Sequence, residues 1–151
     1  WITINMVKPI EYTDEVLKVI RHCGVLGLKV KEVEEQGLTL ELPYSPDIVG
    51  NPDTGVIHGG AITTLMDTAM GMAVPVAIGA FEMCPTLDLR IDYMGAAEPK
   101  QAVFGRAEIY RITDNVVFAR GWAYQDDSDR PIARCLATFM RLGKHLKESK
   151  Q

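Results

Sequence analysis

Cysteine is scarce: Cys23, Cys84 and Cys135 are the only three, and no CxxC spacing links them. An odd, scattered set builds neither a disulfide framework nor a zinc site, so no metal centre is expected and a reducing compartment, most simply the cytoplasm, is. An excess of basic charge is also missing. Sixteen Lys plus Arg face twenty Asp plus Glu, for a net charge of −4, which argues against a general nucleic-acid binder. No apolar run reaches the length needed to cross a bilayer. The opening WITINMVKPIEYTDE has no basic stretch leading into an apolar core. Neither a membrane span nor a signal peptide is therefore expected. A Ser/His/Asp triad motif, a P-loop and a dinucleotide fingerprint are absent too. His22 and His145 lack metal-ligand spacing, and surface or helix-end roles suit them better. What remains is 151 residues, 47% apolar and 24% charged, the composition of one ordinary globular domain.

Along the chain, Thr13-Asp14-Glu15 is expected to cap a short helix with Val16, Leu17, Val19 and Ile20 as its apolar side and Gly24 as its stop. Residues 28–34 and 38–42, joined by Glu35-Gln36-Gly37, read as a β-hairpin. The Pro-, Asn- and Gly-rich stretch 43–55 reads as loop. From 59 to about 80 the chain is apolar with a single charge, Asp67. That length and composition predict a helix buried on most of its surface, kinked or ended at Pro75. Four strand-like runs follow, Thr86–Tyr93, Val103–Ile112, Val116–Tyr124 and 132–142, separated by turn residues such as Asp114-Asn115 and Asp126 to Asp129. No βαβ alternation appears, so the class is α+β with a mainly antiparallel sheet. An all-round apolar helix needs a sheet that curves about it. Ala119, Gly121 and Ala123 share one strand face, as do Ala133, Cys135 and Ala137, and such small side chains let a helix come close.

The chemistry concentrates in Asn51-Pro52-Asp53-Thr54-Gly55-Val56-Ile57-His58-Gly59-Gly60 and the helix after it. A double glycine opening a helix bares N–H donors at the positive end of the dipole, suited to an anion or a developing oxyanion. Alone, Gly-Gly reads equally as a flexible helix start. Asp67 adds a carboxylate on a stripe with Gly60, Thr63, Thr64, Gly71 and Val74. Buried there, it is costly unless hydrogen-bonded, and such groups are often functional. The structural alternative is a carboxylate locked by the Thr63 or Thr64 hydroxyl, or one reaching solvent. Gly59 and Asp67 lie about 12 Å apart along the helix axis. If they cooperate on one reacting group, the aspartate must meet the glycine turn of a second copy, which requires at least a dimer.

His58-Gly59-Gly60, with Asp67 nine residues after the histidine in Leu-Met-Asp-Thr-Ala-Met-Gly, resembles the PaaI-like acyl-CoA thioesterases of the hotdog-fold superfamily. The resemblance covers residues 24–142. It implies a six-stranded antiparallel sheet wrapped around a long helix, in one domain spanning 1–151, with 1–23 an N-terminal extension and 143–151 a tail. It further implies that the Gly59 N–H polarises the thioester carbonyl, that His58 shapes the turn, and that Asp67 of the partner helix is general base or nucleophile. A Ser or Thr near the start of the next strand orients the attacking water in some members; the matching hydroxyl is Thr86. Gly60 and Thr63 fall in the substrate-binding stripe. The family's loop asparagine, six residues before the histidine, corresponds to Pro52 here; Asn51, one residue earlier, would serve if the loop bulges by one residue.

The activity so implied is hydrolysis of acyl-CoA to free acid and CoA by a homodimer or dimer of dimers. It needs no cofactor, metal, nucleic acid or membrane. A non-catalytic module that binds acyl-CoA is the alternative, and a hotdog dehydratase a weaker one that lacks its Asp–His pairing. The family joins subunits through the strand matching Thr86–Tyr93. Its alternation sets Leu87, Leu89, Ile91 and Tyr93 on one face and Thr86, Asp88, Arg90 and Asp92 on the other. Antiparallel pairing about a two-fold at Leu89 would place Asp88 opposite the partner's Arg90. Met66, Met70, Met72, Met83 and Met94 are expected in the core or the acyl pocket, the stretches 43–57 and 75–84 are expected to shape that pocket, and Arg141, Lys144, Lys147 and Lys150 are expected to form a solvated basic tail.

Overall fold

The run opening at Gly59 forms the helix its composition demands. A computed structural model of the chain describes residues 9–143, with side chains from 13 onward. Its elements are α1 (Pro9–Val19), α2 (Arg21–Leu26), β1 (Lys29–Glu34), β2 (Gly37–Leu42), β3 (Val49–Asn51), β4 (Val56–Ile57), α3 (Gly59–Ile78), β5 (Thr86–Tyr93), β6 (Val103–Ile112), β7 (Val116–Tyr124) and β8 (Ala133–Met140). Six strands form one antiparallel sheet in the order β1-β2-β6-β7-β8-β5. Helix α3 packs on β2, β6 and β7. The hairpin, the long helix and the four later strands lie where the pattern puts them, and the architecture is the hotdog fold.

The stripe of small residues does what its size permits. Registers Gly105↔Ala123, Ala107↔Gly121 and Ala119↔Ala137 line small side chains across three strands. A Cβ on Gly121 would lie 2.6 Å from Met66 Cε, and one on Gly105 2.8 Å from Leu65 Cγ. The helix therefore sits closer to the sheet than any side chain at those positions would allow. Leu65, Met66 and Met70 are fully enclosed, each adding about 1.5–3 kcal/mol of burial free energy.

Several expectations need correction. The first helix begins at Pro9, whose fixed φ suits a first turn. Thr13-Asp14-Glu15 is thus inside it rather than its cap, and Thr13 is fully buried. Ile20 is extended, and a second short helix ends not at Gly24 but at Gly27 (φ 68°), whose N–H reaches the Cys23 and Gly24 carbonyls. Pro75 does not end α3. The ring removes the bond to the Gly71 carbonyl, yet burial of Met72, Ala73 and Val74 carries the helix on to Gly79 (φ 73°). At 20 residues α3 is long and apolar enough to cross a membrane by length and composition, contrary to expectation; half of its apolar stretch is buried inside the fold. The 43–55 stretch is not all loop. A single 3-10 turn, Pro46–Ile48, leads into the β3–β4 hairpin, which bulges at Gly50. Met66, Met70 and Met72 are core, but Met83 and Met94 are exposed. Arg141 is no part of a free tail. It makes a two-point ion pair with Glu82 (3.0 and 2.9 Å) and donates to the Thr113 carbonyl at 3.0 Å. Lys144, His145, Lys147 and Lys150 lie outside the described residues, as do 1–8 of the N-terminal extension.

Strand β5 is an edge. It pairs with β8 alone, and the registers Thr86↔Phe139 and Asp88↔Thr138 leave Leu87 as a bulge. One extra residue reverses parity. Leu89, Ile91 and Tyr93 face inward opposite Ala137, Cys135 and Ala133, and Thr86, opposite buried Phe139, joins them. The strict alternation that put Thr86 with Asp88 and Arg90 is corrected by that bulge. Phe81, Met83, Leu87 and Met94 are exposed around this open edge.

Candidate functional site

The start of α3 is ordered by a histidine. His58, extended at φ −63° and ψ 134°, is the N-cap, and its Nδ1 accepts the Gly60 N–H at 2.9 Å. Accepting at Nδ1 requires a neutral ring with its proton on Nε2. The Ala61 N–H goes to the His58 carbonyl at 3.0 Å. Among the described residues nothing accepts the Gly59 N–H. The cap thus consumes one of the two glycine donors and leaves the other bare at the positive end of a 20-residue helix. Loop strand β3 presses on this turn: a Cβ on Gly50 would stand 2.9 Å from His58 Cα, and the His58 N–H donates to the Ile48 carbonyl at 2.8 Å.

Gly59 is also held from the sheet. The Tyr93 hydroxyl donates to the Gly59 carbonyl at 2.6 Å and lies 2.7 Å from Thr63 Oγ1, which itself is 3.1 Å from the same carbonyl. A Cβ on Gly59 would meet Tyr93 Oη at 3.1 Å. Two turns further along α3, Asp67 is half-buried rather than buried within one chain. Its Oδ1 accepts a 2.8 Å hydrogen bond from Thr86 Oγ1. The Thr63 and Thr64 hydroxyls do not lock it, because each bonds back to its own helix, at Gly59 and Gly60. The structure therefore makes two clusters. One holds His58, Gly59, Gly60, Thr63 and Tyr93; the other holds Asp67 and Thr86.

Asn51 joins neither cluster. It is exposed, its Oδ1 accepts the Asp53 N–H at 3.0 Å, and its carbonyl closes the turn to Gly55. The bulge in this hairpin falls at Gly50, ahead of Asn51. A cleft of about 390 Å³ between α2 and the 46–49 turn, lined by His22, Leu26, Asp47, His58 and Thr64, reaches the capped Gly60. Among the described residues, no three His, Cys, Asp or Glu side chains converge as metal ligands. Tyr93 was read only as the end of an apolar face. Its signal was present in the sequence: a hydroxyl-bearing ring on the inward parity of β5, one strand away from the glycine turn.

The family described as the thioesterase superfamily matches residues 54–132, which contain every member of both clusters. A crystal structure from Pseudomonas aeruginosa is 57% identical, covering 89% of this chain and 99% of that one, with a TM-score of 0.82. A medium/long-chain acyl-CoA thioesterase of Salmonella typhimurium, YigI, is 26% identical over 131 residues, 76% of this chain and 81% of its own. A provisionally assigned esterase of Halobacterium salinarum is 34% identical over 79 residues, 48% of this chain, so that the match spans half of that relative's length. By sequence and by fold, the chain belongs to the thioesterase superfamily.

Proposed function

We propose that the protein hydrolyses acyl-CoA thioesters, with each reaction centre assembled from two copies of the chain. The acyl-CoA substrate is supported by the YigI relative, and the pairing by the layout of β5. The start of that strand meets Asp67 through Thr86, and its end meets Gly59 through Tyr93. Within one chain the two clusters stand about 12 Å apart along α3, too far for one small reacting group. Antiparallel pairing of two β5 edges about Leu89 sets the partner's Thr86 opposite Asp92, one residue from Tyr93. It thereby carries the partner's Asp67 toward Gly59. The unpaired edge, with exposed Leu87 and Met94 beside it, offers the backbone groups and apolar surface such pairing needs.

In the reaction the thioester oxygen becomes negative as the tetrahedral intermediate forms. The Gly59 N–H stabilises it, worth about 3–4 kcal/mol for one well-aimed donor. The partner's Asp67 takes the proton of the attacking water while its Thr86 fixes the carboxylate. Collapse breaks the C–S bond and releases a carboxylic acid and the CoA thiol, which takes up that proton. Direct attack by Asp67, giving a mixed anhydride that water then opens, uses the same atoms. The test is thiol release from short, long and aryl acyl-CoAs. Asp67→Asn is expected to keep the wild-type mass in solution and lose at least about 100-fold in kcat. Acyl-CoA binding without thiol release by the wild-type chain would instead establish a binding module.

A further inference from the structure

We propose that Tyr93 is a positioning residue that fixes the direction of the Gly59 N–H. This rests on the reading above and adds a residue to it. The Gly59 N–H lies in the peptide plane before its Cα and its carbonyl in the plane after, so φ and ψ of Gly59 set one relative to the other, and glycine is the residue least able to hold them. Gly59 has no side chain, lies at the first helical position and carries the donor that nothing satisfies among the described residues. It needs an external brace, and the structure supplies one on the far side of the same residue.

The Tyr93 hydroxyl sits 2.6 Å from the Gly59 carbonyl and 2.7 Å from Thr63 Oγ1, and Thr63 closes a triangle at 3.1 Å. Two hydroxyl protons serve three short contacts. The Tyr93 proton goes to the carbonyl at the shortest distance, and Thr63 donates to the tyrosine oxygen or to the carbonyl. The ring stands beside the Gly59 Cα, where a Cβ would be 3.2 Å from Cζ, so it also blocks tilting of the turn toward the sheet. Tyr93 is anchored through its strand, facing inward opposite Ala133 of β8. His58 secures Gly60 from one side and Tyr93 secures Gly59 from the other, so the peptides that flank the remaining donor are both held. Tyr93 does this without contacting the acyl group, so its removal should lower kcat and leave substrate binding in place.

The experiment compares the wild-type chain with Tyr93→Phe, which keeps the ring and deletes the hydroxyl, and with Tyr110→Phe, a tyrosine on the outer face, as control. Tyr93→Phe is expected to lower kcat about ten-fold, the upper value for one hydrogen bond of this kind, with KM within about two-fold. The carbonyl carbon of Gly59 and the amide nitrogen of Gly60 should both move upfield in the NMR spectrum as the carbonyl loses its donor. Tyr110→Phe should change none of these. Unchanged kcat with an unchanged Gly59 carbonyl shift overturns the proposal. So does a fall in kcat that merely tracks a smaller folded fraction while the shift stays put. If the wild-type chain is inert toward every thioester, the hydrolase reading fails instead, and the Gly59 shift alone still decides whether Tyr93 holds that peptide.

Discussion

Gly60→Ala should act almost entirely through a neighbouring side chain. A Cβ at Gly60 would stand 2.9 Å from His58 Nδ1 and 3.1 Å from Cε1. Nδ1 is the atom that accepts the Gly60 N–H. The imidazole is the far end of a mobile side chain, so it rotates away and the cap opens. Losing an N-cap costs about 1 kcal/mol, while replacing Gly by Ala inside a helix returns about 1 kcal/mol. In the wild-type background the two cancel, and the melting temperature should move by less than about 2 °C. In a His58→Ala background the cap is already gone, so the same change should raise the melting temperature by about 2–4 °C. Turnover should show the converse: Gly60→Ala lowers kcat in the wild type, because the freed Gly60 N–H competes with Gly59 for the oxyanion, but adds little once His58 is absent. The assay is a four-member cycle, melted at one fixed protein concentration and followed by thiol release. Strictly additive effects on both stability and kcat would refute the view that His58 chooses which glycine is the donor.

Gly121→Ala drives a methyl to within 2.6 Å of Met66 Cε and 2.7 Å of the Arg106 carbonyl. Because one obstacle is backbone, a loss of about 1–3 kcal/mol is expected in denaturant unfolding. Burial pushes the Cys135 thiol up to about 12; Cys84 rises to about 11, through burial and then the nearby Glu82 charge. Both thiols stay protonated in the fold at pH values where an unfolded chain, near 9.0, gives them up. Their contribution is intact below pH 9.0 and declines as pH rises toward about 11 and then about 12. Urea midpoints measured across that range should fall, and an aromatic disulfide reagent at neutral pH should label these two only after unfolding.

Much of this molecule is written in simple periodicities. The four later strands stand out because β-branched and aromatic residues alternate between polar turns, and α3 because one charge in a long apolar run leaves it no exposed life. Gly59 and Asp67 stand out in the sequence because a bare helix start and an acid are costly in such surroundings, whereas Thr86 enters only through the family resemblance. The parity of Leu89, Ile91 and Tyr93 is legible, but that of Thr86 is not: the bulge at Leu87 is a property of pairing with β8, and no single strand announces it. The N-terminal helices failed for a related reason. Thr13 has the chemistry of a cap, but Pro9 starts a helix earlier and tertiary burial claims the threonine. Asp67 is only half-buried in the chain, and its hydrogen-bond partner, Thr86, comes from β5 rather than from its own helical face.

The bulged edge strand also imposes a rule on sequence length. Solvent-facing edges ordinarily accept lost or added residues with little penalty. Here eight residues of β5 must bridge the interval between the two ends of one helical segment, with an odd residue spent at Leu87 so that both terminal hydroxyls look the same way. Deleting any one residue would turn one of them to water, and adding one would do the same. This outermost ribbon of the sheet is therefore where the chain has the least freedom to grow or shrink.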